Sequence, residues 1–433
     1  MEKRNFGINS GIPSFCTSNR IVLEAILEHY LPTEEYVLIE CTANQVNQFG
    51  GYMNMTPIDF VEYVHEIADN VKFPKDKIIL GADHFGPLVW ADKDENEAMQ
   101  NAKELVRLAV LAGYSKIHLD TSMLLGSDDS SKKLSDETIA QRGVELYKTC
   151  EEAFIERCNK FPNSVHPVYV IGSEVPIPGG EYGKKDNLTV TDPKDFENTI
   201  KTYNEKFKEN GFDDAWENII AVVVQPGVEF SNYNIHDYER NESIKLCKKL
   251  TEYPNLVFEG HSTDYQSPIK LKEMVEDGVV ILKVGPALTY ALREGLFSLS
   301  LIEKELIKDK DKRANFIELL EEIMLNNPKD WEKYYQGNEL EKELQRKYSF
   351  SDRSRYYISR QDINKNINKL FENIDSSNIP LGMIKQYFPN IFMKIKSQPN
   401  SINAKNLVKQ NIIYVIKDYD YAIEKWNYLK RHN

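Results

Sequence analysis

Asp83 and His84 stand side by side in GADHFGP, and Asp120 closes KIHLD two residues after His118. Glu174 follows in GSEVPIPGG, Gln225 in VVVQPG, His261 in FEGHSTDYQ and Lys283 in ILKVGPAL, while Glu40 ends an earlier apolar run. These types suit one chemistry in particular. Neutral imidazoles of His84 and His261, with oxygen donors from Glu174 and Gln225, form a ligand set for a divalent cation such as zinc, manganese or nickel. Such a cation can polarise a ketone while a nearby carboxylate moves protons, and Asp83, Glu40, Asp120 and Glu174 are the carboxylates available. A buried histidine is more often a satisfied core residue, and Asp83 could merely cap the turn that follows it. Adjacent strand residues also face opposite sides, so Asp83 and His84 share a site only if the strand ends at Asp83. Lys283 has two readings, as a Schiff-base nucleophile or as a cation that meets carboxylates or substrate phosphate. The second is preferred.

What turns scattered polar residues into a site is their common position. Each lies in the last part of, or just after, one of eight short apolar runs, at Ile12–Cys16, Tyr36–Thr42, Lys77–Asp83, Lys116–Asp120, His166–Gly172, Asn218–Gln225, Asn255–His261 and Val279–Gly285. Runs such as IIAVVV and VVILKV read as parallel strands buried on both faces. Helical stretches separate them, opened by signals such as Thr56-Pro57 and Ser135. Eight strand–helix units over residues 1–300 predict a (β/α)8 barrel, whose chemistry sits at the C-terminal ends of the strands. A doubly wound open sheet is disfavoured because GIPSFCTSN lacks the glycine-rich phosphate turn. Beyond residue 300 the alternation stops, and residues 301–433 read as a helical extension packed on the barrel.

Charge follows the same division. Of the formal charge of −13, residues 1–300 carry −18 and residues 301–433 carry +5. An acidic chain argues against a nucleic-acid partner. Five cysteines without CxxC spacing argue against a disulfide framework, and without a long apolar run or signal segment the expectation is a cytoplasmic protein with no membrane contact. Glycine turns at Gly179-Gly180, Gly227 and Gly285 could cradle an anion, and Arg353 and Arg355 in YSFSDRSRYY could hold a phosphate.

The segments IECTANQVNQFGGYMNMTP, GADHFGP, KIHLDTSM, GSEVPIPGGE, VVQPGVEF, EGHSTDYQ, KVGPALTYALRE and YSFSDRSRYY resemble the Z-type subunit family of tagatose-1,6-bisphosphate aldolase over essentially the whole chain. The resemblance implies a component of that lyase in galactitol and tagatose catabolism, yielding dihydroxyacetone phosphate and glyceraldehyde 3-phosphate. It also implies two alternatives. One is a metal-dependent C4-epimerase acting on ketohexoses, their 6-phosphates or ketouronates by retro-aldol and aldol steps. The other is a non-catalytic subunit supporting a class II aldolase partner. A phosphorylated ketohexose substrate and a homo-oligomer are expected. A more distant resemblance to class II aldolases gives Asp83 the proton-shuttling role and His84 and His261 the metal. It makes Ser262 a phosphate contact, with Asp264, Lys283, Gly227, Arg353 and Arg355 completing the substrate-binding set. Gln225 stands where those enzymes carry a second zinc histidine.

Overall fold

The computed structural model describes residues 10–33, 35–173, 175, 188–397 and 403–423. Eight parallel strands close a barrel: β1 (Ile12–Cys16), β2 (Val37–Thr42), β3 (Ile78–Phe85), β4 (Lys116–Leu119), β5 (Val168–Ile171), β6 (Ile219–Val224), β7 (Val257–Gly260) and β8 (Val279–Val284). Neighbours in sequence are neighbours around the barrel, and β1 closes it by pairing with β8. The expected strands lie within two residues of the observed ones. Helices follow each strand: α1 (Arg20–Tyr30), α2 (Pro57–Val71), α3 (Glu95–Ala112), α4 (Asp136–Lys160), α5 (Pro193–Glu209), α6 (Arg240–Leu250), α7 (Pro268–Glu276) and α8 (Pro286–Leu306). Their starts are chemically marked. Asn19 accepts from the Ile21 and Val22 amides, Ser135 from Thr138, and Thr56 forms a capping box with Asp59 ahead of Pro57. Among the described residues no helix is long and apolar enough to cross a membrane.

Side chains alternate inward and outward along each strand, so every second residue joins a layer inside the barrel. Leu38, Ala221, Val223, Val257 and Ile281 form an apolar floor. Two residues further along β2, β7 and β8 come Glu40, Glu259 and Lys283, joined by Lys116 of β4, all buried. The next inward positions of β3, β4 and β7 bring Asp83, His118 and His261 to the mouth. Gly81 of β3 lies in register between Glu40 and Lys116, where an added Cβ would sit 2.6 Å from Glu40 Oε1. The absent side chain is what lets Lys116 reach across β3 to Glu40.

After α8 the chain is helical, at Phe316–Asn326, Glu339–Tyr348, Gln361–Asp375 and Ala404–Ala422 among others. The last of these is tied to the first barrel helix through Asp420, which binds His29 Nε2 and the Tyr30 hydroxyl at 2.6 Å each. The segment around Ser351 crosses the barrel mouth. It is anchored by Arg293 of α8 to Asp352 at 2.7 Å and by the Tyr265 hydroxyl to the Phe350 carbonyl at 2.6 Å.

Gly81→Ala should destabilise the fold by about 2 kcal/mol, a typical cost of overpacking. Two lysines hold Glu40, so it has no free direction in which to yield. Urea unfolding of the variant against wild type measures this; equal midpoints would contradict the account of the layer.

Candidate active site

The middle layer of the barrel is a closed ion-pair network. Lys116 Nζ lies 2.6 Å from both Glu40 Oε1 and Glu259 Oε2. Lys283 Nζ lies 2.6 Å from Glu40 Oε2 and 3.4 Å from Glu259 Oε1, and it also pairs with Asp83. Burial alone would favour neutral groups here. The carboxylates of Asp83, Glu259 and Glu40 outweigh it for Lys283, whose ammonium is held well above the ordinary range. With Glu40, Asp83 and Glu259 all engaging its ammonium, Lys283 fits the reading as a cation that meets carboxylates better than the Schiff-base one.

Above this layer three imidazoles converge. Ring centroids are 4.7 Å apart for His84 and His261, and 5.1 Å for both pairs that include His118. Asp83, His84, His118 and His261 each offer a ligand atom, and those atoms lie within 4.8 Å of one another. Strand ending does not explain how Asp83 and His84 both arrive there, because β3 continues to Phe85. Its pairing with β4 slips by one residue between Ala82 and Phe85, and His84 adopts a left-handed φ of 49°. This bulge turns two adjacent side chains toward one site, a local strain for a non-glycine residue.

Each imidazole is held by a neighbour. His84 Nδ1 lies 2.7 Å from Asp120 Oδ2, leaving Nε2 for a ligand, and Asp120 is steadied by the Ser122 hydroxyl at 2.7 Å. His261 Nε2 lies 3.0 Å from Glu259 Oε1, leaving Nδ1. His118 Nδ1 accepts the His84 backbone N–H at 3.2 Å, and its Nε2 is buried without a hydrogen-bond partner. Carboxylates that orient ligand histidines in this way are the usual second partner of a metal site. Burial drives His261 down to about 3 and lowers His118 as well, so both are neutral at pH 7. For His84 burial is outweighed by Asp83 and Asp120, and its pKa is raised. Asp83 is held well below the usual carboxylate range despite burial, by His84 and Lys283 above all. Four carboxylates (Glu40, Asp83, Asp120, Glu259) face two ammonium groups (Lys116, Lys283). With His118 and His261 neutral, and His84 giving up its proton when it binds a cation, two negative charges remain uncompensated, and one divalent cation matches them. The residues present therefore fit such an ion.

A cavity of about 690 Å³ opens above the cluster. Asp83, His84, His261 and Lys283 line its base, and Lys333, Tyr334, Arg353, Arg355 and Tyr356 line it from the segment beyond the barrel. Arg353 is almost fully buried, with its guanidinium 3.4 Å above the Tyr334 ring and an Nη1 that has no hydrogen-bond partner. Arg355 Nη2 donates to the Tyr356 hydroxyl at 3.1 Å. Burial would raise that phenol, yet Arg355 and Arg353 hold it below its ordinary range.

The sequence pattern described as D-tagatose-1,6-bisphosphate aldolase subunit GatZ/KbaZ-like matches residues 1–424. The chain belongs to this family. A crystal structure described as a probable tagatose 6 phosphate kinase from Sinorhizobium meliloti is 38% identical, with a TM-score of 0.86, covering 95% of this chain and 100% of that one. The YdjI aldolase from Escherichia coli K12 is 11% identical with a TM-score of 0.38, over 84% of this chain and 92% of that one. A fructose-bisphosphate aldolase from Campylobacter jejuni is 14% identical with a TM-score of 0.40, over 86% and 92%.

Within this GatZ/KbaZ-like chain, the expected site residues divide clearly. Asp83, His84, His261, Ser262, Asp264, Lys283, Arg353 and Arg355 line one cavity. Glu40 and Asp120 do not. Glu40 lies in the ion-pair layer below it, and Asp120 spends its oxygens on His84 and Ser122, so both position other groups rather than meet substrate. Gln225 is turned elsewhere. Its Oε1 accepts the Gly227 and Val228 amides at 2.8 and 3.0 Å, and neither Gln225 nor Gly227 lines the cavity. The turn consumes the amide that sequence reading assigned to the metal. Glu174 and Gly179-Gly180 lie outside the described residues. The third imidazole, His118, and the charged partners Lys116 and Glu259 were missed as site members. The signal was present, since Lys116 and His118, and likewise Glu259 and His261, are spaced by two within buried strands.

His118→Ala should weaken Mn²⁺ binding strongly, Glu259→Gln by about 10- to 100-fold, and Gln225→Ala not at all. Electron paramagnetic titration of free Mn²⁺ measures all three. Affinity should also fall as pH drops through the His84 range, above that of an ordinary imidazole, because the proton competes with the ion. A loss in Gln225→Ala with none in His118→Ala would reverse the assignment.

Proposed function

We propose that this chain carries its own active site, which breaks and remakes the C3–C4 bond of a phosphorylated ketohexose. The observation that supports it most is the convergence of Asp83 with His84 and His261 at the base of a cavity lined by Arg353 and Arg355, with His118 buried against both rings. A divalent cation held by His84, His118 and His261 would supply a Lewis acid for the ketose carbonyl and its neighbouring hydroxyl. Asp83, kept ionised by Lys283, is the group at the cavity base placed to take the C4 hydroxyl proton. As that proton leaves, the C3–C4 bond breaks and the C4 carbon becomes an aldehyde, with the bonding electrons passing to the three-carbon fragment. Asp120 and Glu259 do not touch substrate; they fix the tautomer and direction of His84 and His261. Arg353 has a buried N–H to offer a phosphate, and Arg355 adds a second guanidinium beside it.

One observation favours re-addition over release. The segment carrying Arg353, Arg355 and Tyr356 walls the cavity, so the aldehyde is retained beside the fragment it left. If it turns over and adds back through its other face, the proton returns from Asp83 and C4 is inverted. Fructose and tagatose differ only at C4, so the net reaction is epimerisation. The same site with an escaping aldehyde gives aldol cleavage, the reaction of the family's namesake enzyme.

Purified protein loaded with Mn²⁺, Zn²⁺ or Ni²⁺ should convert tagatose 6-phosphate to fructose 6-phosphate without added partner, and Asp83→Asn should lower kcat by at least about 100-fold. Chromatographic separation of the epimers, with an assay for trioses alongside, checks this. Turnover appearing only when a class II aldolase subunit is added would select the accessory role instead.

A further inference from the structure

In a (β/α)8 barrel the turn after the eighth strand and the start of the next helix commonly present free backbone N–H groups to a substrate phosphate. Here each of those donors is already used. Asp264, which lines the cavity and is almost fully buried, accepts the Gly285 amide at 3.0 Å and the Ala287 amide at 2.8 Å through Oδ1. Pro286 has no N–H to give, and the Leu288 and Thr289 amides return to the Gly285 carbonyl at 3.0 and 3.3 Å. The chain has placed its own carboxylate where a phosphate would otherwise bind. A second anion arriving at that turn finds its backbone N–H groups taken and meets the Asp264 carboxylate, which burial raises to about 6 and which is therefore still ionised at neutral pH. The cavity's guanidinium groups, on Arg353 and Arg355, come from elsewhere in the chain.

We infer that Asp264 is a specificity-determining residue that limits the substrate to a ketose with a single phosphate and rejects the 1,6-bisphosphate. The inference rests on the ketose-phosphate reading for the identity of the ligand, but not on turnover. Binding therefore tests it. Calorimetry on the full-length, Mn²⁺-loaded protein compares tagatose 6-phosphate with tagatose 1,6-bisphosphate. Wild type should bind the monophosphate at least about tenfold more tightly. Asp264→Ser, which frees the turn, should shrink that ratio about tenfold or more, chiefly through a tighter bisphosphate complex. Asp264→Asn keeps an acceptor for both amides and guards against a folding defect; with only the charge removed it should shrink the ratio by less. Equal or tighter bisphosphate binding by wild type, or an unchanged ratio in Asp264→Ser, overturns the inference. If neither sugar phosphate binds, the ketose reading itself has failed, and inorganic phosphate decides the remainder. Affinity gained in Asp264→Ser over wild type supports a carboxylate-filled anion site, and no gain overturns it.

Discussion

Glu40 is gripped from two sides by lysines that sit inside a protein barrel, and the site depends on that arrangement. Taking an ammonium and a carboxylate out of water costs several kcal/mol for each ion, which their attraction offsets only when geometry is good and every charge is met. Lys116 bridges Glu40 and Glu259, while Lys283 bridges Glu40 and Asp83. No member can be withdrawn without stranding another. What such a network confers is direction more than stability. Glu259 is held for His261, and Asp83 is held as an ionised base beneath the cavity.

The layer also explains a charge mismatch. The layer and the cluster above it together hold two more carboxylates than ammonium groups, the extra two being Asp83 and Asp120, and both lie beside the imidazoles. His84 responds as the group nearest the surplus, with its pKa raised. The same surplus that raises a proton's affinity for His84 raises a divalent cation's affinity for all three rings. Positive charge of a different kind enters from the far wall. Arg353 and Arg355 come from the chain beyond the barrel, and the Arg293–Asp352 pair pins their segment across the mouth. In the proposed reaction the barrel acts on the carbonyl end of the substrate, and the later segment on its anionic end.

Much of this was legible from residue order. Eight apolar runs give the strands, since buried parallel strands need continuous apolar sequence, and the residues ending them gave Asp83, His84 and His261. Period-two spacing inside the strands carried the rest, and was overlooked: Lys116 and Glu259 are charged residues at positions that must face inward. Two features lay beyond any pattern. Gln225 was spent on its own turn, because an amide two residues before a left-handed glycine can satisfy that turn's N–H groups. His84 joined Asp83 through a one-residue slip in strand pairing, which depends on where β4 sets its register and leaves no mark in the residues themselves. Asp264 was expected within the substrate-binding set. Its Oδ1 instead accepts the Gly285 and Ala287 amides, the contacts on which its inferred role in excluding a second phosphate rests.

In the proposed site the imidazoles of His84, His118 and His261 surround a single divalent cation above the ion-pair layer. Anomalous diffraction from crystals grown with Mn²⁺ locates that ion directly. One strong peak is expected among the three rings, within bonding distance of a nitrogen of each. A peak bound by Gln225 with His118 unligated, or no peak in the barrel at all, would contradict it.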